Sequence, residues 1–119
     1  MKSFEAKIFV GFKEYLDKER INFITHSIAY CESICTQYCH EVGWCVTVTP
    51  TTYIYTGGWE KGAIIGIIQY PRFPTEETVL KKRTLKLANR LMEELGQYRV
   101  TINFPDEVIM LSNESKINC

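Results

Sequence analysis

The chain has 119 residues, 45% of them hydrophobic, and its 14 Lys and Arg balance 14 Asp and Glu. That suffices for one small folded domain and not for two. Zero net charge excludes long-range steering toward DNA or an anionic membrane, so a phosphate-bearing partner would have to be met by a local patch. The longest apolar run, residues 63–68, is broken by Gly66 and is far shorter than the roughly 20 residues of a spanning helix. No long apolar stretch follows Met1, so no secretory signal is legible and the expectation is a cytoplasmic protein with no membrane partner. Five cysteines are many for this length, but their odd number and regular spacing speak for free thiols rather than a secreted disulfide framework.

Residues 6–12 are β-branched and aromatic and predict a first strand; the charged residues 13–20 predict a solvated turn or short helix. From Ser27 to Val42 the apolar Ile28, Cys31, Cys35, Tyr38 and Val42 recur at spacings of 3 and 4, an amphipathic helix with Gly43 where a left-handed C-terminal residue belongs. Residues 44–49 and 51–56 predict strands on either side of Pro50. Gly57, Gly58 and Gly62 then bracket the polar Trp59-Glu60-Lys61 as a hairpin connection into a strand over 63–70. The unalternating run 63–68 predicts a central strand covered on both faces or at an interface. Pro71 and Pro74 stop it. Thr75 is an N-cap candidate for a second helix, in which Leu80, Thr84, Leu87, Leu91 and Leu95 form the apolar stripe down to Gly96. Residues 98–104 and 108–111 predict a closing pair of strands around a Pro105-Asp106 turn. The order β-α-β-β-β-α-β-β implies an α+β fold, a mostly antiparallel sheet with two amphipathic helices on one side, forming one domain over residues 1–111 with a polar tail at 112–119.

Cys31, Cys35 and Cys39 stand four apart, with His26 before them and His40 and Cys45 after. A structural zinc draws its ligands from two converging segments, whereas these thiols ride one helix and two lie in its stripe, so core packing is favoured over metal or redox chemistry. No Gly-x-Ser-x-Gly, His-Glu-x-x-His or Gly-x4-Gly-Lys-Ser/Thr motif occurs, and no catalytic residue or cofactor is assigned. Gly57-Gly58-x3-Gly62 lacks the downstream helix of a phosphate loop. Lys81, Lys82, Arg83, Lys86 and Arg90 read either as a solvated face with an Arg90–Glu94 pair or as a patch for phosphates. In Tyr70-Pro71-Arg72-Phe73-Pro74, rigid prolines aim Phe73 to stack a purine and Arg72 to meet a phosphate; Phe73 as a hydrophobic staple is the competing reading. Arg99 and Asn103 share one strand face, and Asp106 follows a turn from which a carboxylate can accept from ribose hydroxyls.

The segments 41–51, 53–58, 70–74, 95–100 and 104–106 together resemble a family of small phage anti-defence proteins. These sponges counter the Thoeris system by sequestering cyclic ADP-ribose isomers (glycocyclic ADP-ribose) made by bacterial TIR-domain enzymes. The resemblance runs over residues 6–111, with Tyr-Pro-Arg-Phe-Pro and Gln-x-Arg-Val as its most specific parts. It implies a non-enzymatic binder in the infected host's cytoplasm, a homodimer or higher homo-oligomer with pockets near subunit interfaces; some members hold cyclic oligonucleotides at a separate site. It points to Phe73 as the stacking residue, Arg99 as a phosphate partner and Asp106 as a ribose contact. Lys82 lies near where relatives carry an asparagine, and the cysteine-rich helix is peculiar to this chain. Two other classes stay open beside this one: an interaction module whose run 63–68 docks on a host factor, and a nucleotide-processing enzyme.

Overall fold

The computed structural model describes residues 2–117, and its elements run β1 (Glu5–Gly11), β2 (Lys13–Tyr15), β3 (Phe23–Thr25), α1 (Ile28–Val42), β4 (Thr47–Tyr55), β5 (Gly58–Ile68), α2 (Glu77–Glu94), β6 (Arg99–Asn103), β7 (Val108–Ser112) and α3 (Glu114–Ile117). Five strands form an antiparallel sheet in the order β4-β5-β1-β6-β7. The α+β class and the placement of the two long helices among the strands are those the sequence implies. The period of two in β1 sends Ala6, Ile8 and Val10 inward and Glu5, Lys7 and Phe9 outward. The inward set meets Ile65 and Ile67 of β5, Val100 and Ile102 of β6, and the helical stripe Leu80, Leu87 and Leu91 of α2. Each fully buried Val, Ile or Leu in this set contributes about 1.5–3 kcal/mol. Helix α1 presents Cys31, Ile34, Cys35 and Tyr38 to the same core. Ser27 caps its start by accepting from the Tyr30 N–H, and Gly43 closes it at φ 69°, the left-handed conformation that glycine adopts without a Cβ penalty.

The structure corrects several details. Residues 13–15 are a strand, paired with β3 in a small hairpin whose loop is tied by the Asp17 carboxylate accepting from the Ile21 and Asn22 N–H groups. Residues 44–49 and 51–56 are not two strands: Pro50 lies inside β4, tolerated because β4 is an edge strand whose outer side needs no donor. Trp59-Glu60-Lys61 is no loop, because β4 and β5 pair as far as Tyr55↔Gly58 and leave Thr56 and Gly57 as the turn. Run 63–68 is interior to the sheet but covered on one face in this chain: Ala63, Ile65 and Ile67 are buried, whereas Ile64 and Gly66 are half-buried and Ile68 is exposed. Helix α2 begins after Glu76, without a side-chain cap; Thr75 instead donates its hydroxyl to Phe73 O. Ser112, read as the start of a polar tail, closes β7, and Lys116 of α3 meets Glu14 at 2.9 Å. Among the described residues no helix is long and apolar enough to cross a membrane.

Candidate functional site

A cleft of about 420 Å³ opens where α1 ends and β5 gives way to α2, lined by Trp44, Tyr70 and Phe73 together with Cys39, His40, Cys45, Gln69 and Leu80. Its position follows from the local sequence. The prolines end β5, and the Gln69 amide then clamps the loop, donating to Thr75 O at 2.6 Å and accepting from the Thr75 N–H at 2.8 Å. The Phe73 N–H donates to Tyr70 O at 3.0 Å and tightens the same turn. Trp44 is turned into the cleft by edge-on packing on Tyr38, 6.1 Å between centroids. The Cys45 thiol beside the Tyr70 hydroxyl, together with burial, holds that phenol above its ordinary pKa. Burial, reinforced by Cys45, likewise pushes the Cys39 thiol up, so Cys39 is not an activated thiolate.

Phe73 is 67% exposed, so it is not a staple folded onto the start of α2; it stands at the cleft with the Arg72 guanidinium 5.5 Å from its ring centroid. The other sequence candidates lie elsewhere. Asp106 is exposed at the β6–β7 turn and meets Lys81 at 3.1 Å, which holds its carboxyl below the ordinary value. Asn103 ends β6, and Lys82 is exposed on α2. Arg99 begins β6, about 13 Å from Asn103 at the usual strand rise. The register that pairs Phe9 with Thr101 puts Arg99 level with Gly11 and Gly62, six residues along β5 from Ile68, about 20 Å. Phe73 and Arg99 of one chain therefore do not reach one compact ligand.

The basic stretch of α2 resolves into separate contacts: Lys81 to Asp106, Arg83 6.0 Å from the Trp44 ring, and Arg90 to Glu41 at 2.7 Å. The expected Arg90–Glu94 pair does not form, because Glu94 accepts from the Tyr30 hydroxyl and Arg90 turns to α1. Cys31 and Cys35 are buried in the core. His26 is drawn to Glu14 at 2.8 Å, and among the described residues no three or more His, Cys, Asp or Glu converge as metal ligands.

A polar locus that sequence reasoning missed lies on the open sheet face, where Tyr53 and Glu60 oppose each other across β4 and β5. The Tyr53 hydroxyl donates to Ala63 O at 2.9 Å, and burial pushes its pKa up to about 12. Glu60 accepts from the Lys13 N–H at 3.1 Å. Symmetry of the two residues about the Thr56-Gly57 turn was the available signal, hidden once residues 59–61 were read as a loop.

No family model matches the chain, and no curated protein does. Solved structures with this fold include a phage SAM lyase in complex with S-methyl-5'-thioadenosine, with a TM-score of 0.70 and 19% identity over 94% of this chain and 91% of that one. They also include a phage SAM lyase in the apo state, with a TM-score of 0.65 and 20% identity over 93% and 90%. At this identity the likeness is one of fold. The fold is thus one found in phage proteins, and the expectation of a protein that is not an enzyme is corrected, since both chains named here are described as lyases.

Proposed function

We propose that the chain is a phage-type lyase that takes S-adenosylmethionine into the aromatic cleft and releases S-methyl-5'-thioadenosine. The observation that carries this reading is the cleft itself, a nucleoside-sized hollow of about 420 Å³ with three aromatic rings, in a fold shared with a phage SAM lyase. Phe73 and Trp44 offer faces for adenine, and an aromatic ring also attracts a sulfonium cation. Arg72 supplies the cation for the substrate carboxylate. The chemistry asks little of the protein. A sulfonium is already a leaving group: as the substrate's own carboxylate oxygen bonds to the side-chain carbon next to sulfur, the carbon–sulfur bond breaks, its electron pair stays on sulfur, and a neutral thioether departs beside the cyclic ester of the amino acid. An apolar cleft favours loss of that positive charge, because it solvates the cation less well than water does. The working assembly in this reading is a homodimer or higher oligomer, with Arg99, Asn103, Asp106 and Lys82 as candidate ligand contacts from a second copy.

A second ligand for the same cleft is a cyclic ADP-ribose isomer, favoured by one observation: Arg72 over Phe73 suits a pyrophosphate better than a sulfonium. Cyclic oligonucleotides at a separate site belong to that reading. The test is incubation of the protein with S-adenosylmethionine and mass spectrometry of the products, beside an equal incubation with the cyclic isomer. Methylthioadenosine in molar excess over protein, lost in Phe73→Ala and reduced in Arg72→Ala, is the expected result. S-adenosylmethionine recovered intact, with tight uptake of the cyclic isomer, would overturn the lyase reading in favour of the second ligand.

A further inference from the structure

At the end of the molecule remote from this cleft, the tip of the β4–β5 hairpin and the small β2–β3 hairpin face each other across a second cleft of about 460 Å³. The two hairpins are held together by the backbone: the Phe12 N–H donates to Lys61 O at 2.9 Å and the Lys13 N–H to Glu60 Oε2 at 3.1 Å. Three rings line the gap and remain largely open to solvent, Phe23 (49%), Tyr55 (49%) and Trp59 (60%). The Tyr55 ring is directed by Gly58, against which it lies so closely that a Cβ there would stand 2.9 Å from Cε2. Two ammonium groups accompany the rings, Lys13 Nζ 4.6 Å from the Phe23 centroid and Lys61 Nζ 5.9 Å from that of Trp59. Glu60 is half-buried, accepts from the Lys13 N–H through Oε2, and lines the cleft with its carboxylate.

We infer that this cleft is a second binding site, for a nucleoside 5'-phosphate. Each part of such a ligand has a complement among the residues of the cleft. The base stacks on Trp59 and Tyr55, the ribose diol donates to the Glu60 carboxylate, and the phosphate meets Lys13 and Lys61. An apolar protein segment would use the rings but cover the charges of Lys13 and Lys61, the latter held only by the neutral Thr52 hydroxyl at 2.9 Å, without a counter-charge, which costs affinity. The inference is independent of the lyase reading, because the two clefts share no lining residue.

The two tryptophans separate the sites experimentally, since Trp44 lines the first cleft and Trp59 the second. Trp44→Phe leaves Trp59 as the single indole, and Trp59→Phe leaves Trp44. Each variant is titrated with adenosine 5'-monophosphate, adenosine and inorganic phosphate at low salt while tryptophan emission is followed, with circular dichroism to check folding. The expected result is saturable quenching of Trp59 by the nucleotide, weakened about tenfold or more when its phosphate is absent or when Lys13 and Lys61 are both changed to Met. Methionine keeps the apolar stems, so loss of binding reports the charges. A Trp59 signal unmoved by millimolar nucleotide would overturn the inference. So would a Trp59 emission that shifts to the blue with protein concentration and ignores nucleotide, because a second copy would then cover the cleft.

Discussion

Glu14 shows how one side chain joins distant segments. Its carboxylate takes His26 at 2.8 Å through one oxygen and Lys116 at 2.9 Å through the other, so β2, the approach to α1 and the short α3 meet at one group. Burial alone would raise this carboxyl, but the hydrogen bonds from Lys116 and His26 and their charges outweigh it and hold the pKa below the ordinary 4.5. A depressed folded-state pKa contributes stability that is present above 4.5 and lost as pH falls through the lowered value. Glu14→Gln is therefore expected to flatten the pH dependence of urea unfolding between about pH 5 and 3, while the wild type keeps a slope there. Gly62 carries a different constraint. A Cβ on it would collide with the Val10 carbonyl of the neighbouring strand, which cannot move without breaking the β1–β5 ladder, and with the Tyr53 ring, whose hydroxyl is held by Ala63 O. Gly62→Ala is expected to lower unfolding free energy by about 1–3 kcal/mol in denaturant titration. Neither contact was legible in the sequence, because Glu14 and Lys116 are 102 residues apart and Gly62 read as one more turn glycine.

At the scale of elements, the helices were the readable part. A stripe at spacings of 3 and 4 encodes its own buried face, and Cys31, Cys35 and Tyr38 in α1, like Leu80, Leu87 and Leu91 in α2, point where the period directs them. Leu87→Ala, removing a fully buried side chain, is expected to cost about 2–5 kcal/mol by thermal or chemical unfolding. The same geometry ranks the four thiols among the described residues: in the native protein an alkylating reagent should modify exposed Cys45 before Cys39, and reach Cys31 and Cys35 on unfolding. Peptide mass mapping over a labelling time course checks the order. Strands were less readable, since a strand is completed by its neighbour. Pro50 looks like a breaker until β4 is seen to be an edge, and Trp59-Glu60-Lys61 looks like a loop until its partners Thr52, Tyr53 and Ile54 are known. The charged stretch 13–20 hid β2 because three residues of strand carry too little pattern.

The whole molecule is longer than it is wide, 48 × 27 × 26 Å, with both helices on one face of the sheet. On the other face Phe9 and Ile64 are half-buried, and Ile68, Met110 (58%) and Val108 (68%) are exposed. A second copy on this face would account for an apolar surface that water otherwise meets. Light scattering at tens of micromolar is expected to give more than one chain's mass, and Ile64→Lys, which puts a charge in the middle of the face, to return it to a monomer with its circular dichroism retained. A monomeric wild type would refute the assembly. Composition and periodicity were enough to determine a small α+β domain with two amphipathic helices, because burial patterns are written locally along the chain. The sequence also offered Phe73 and Arg72 as candidates, because two prolines restrict the backbone around them wherever the rest of the chain goes. Which candidates share a site was decided by the tertiary structure alone: strand register sets Arg99 about 20 Å from the cleft that Phe73 lines, and strand pairing brings Tyr53 to Glu60. Distances of that kind arise from the closing of the sheet, which no local spacing records.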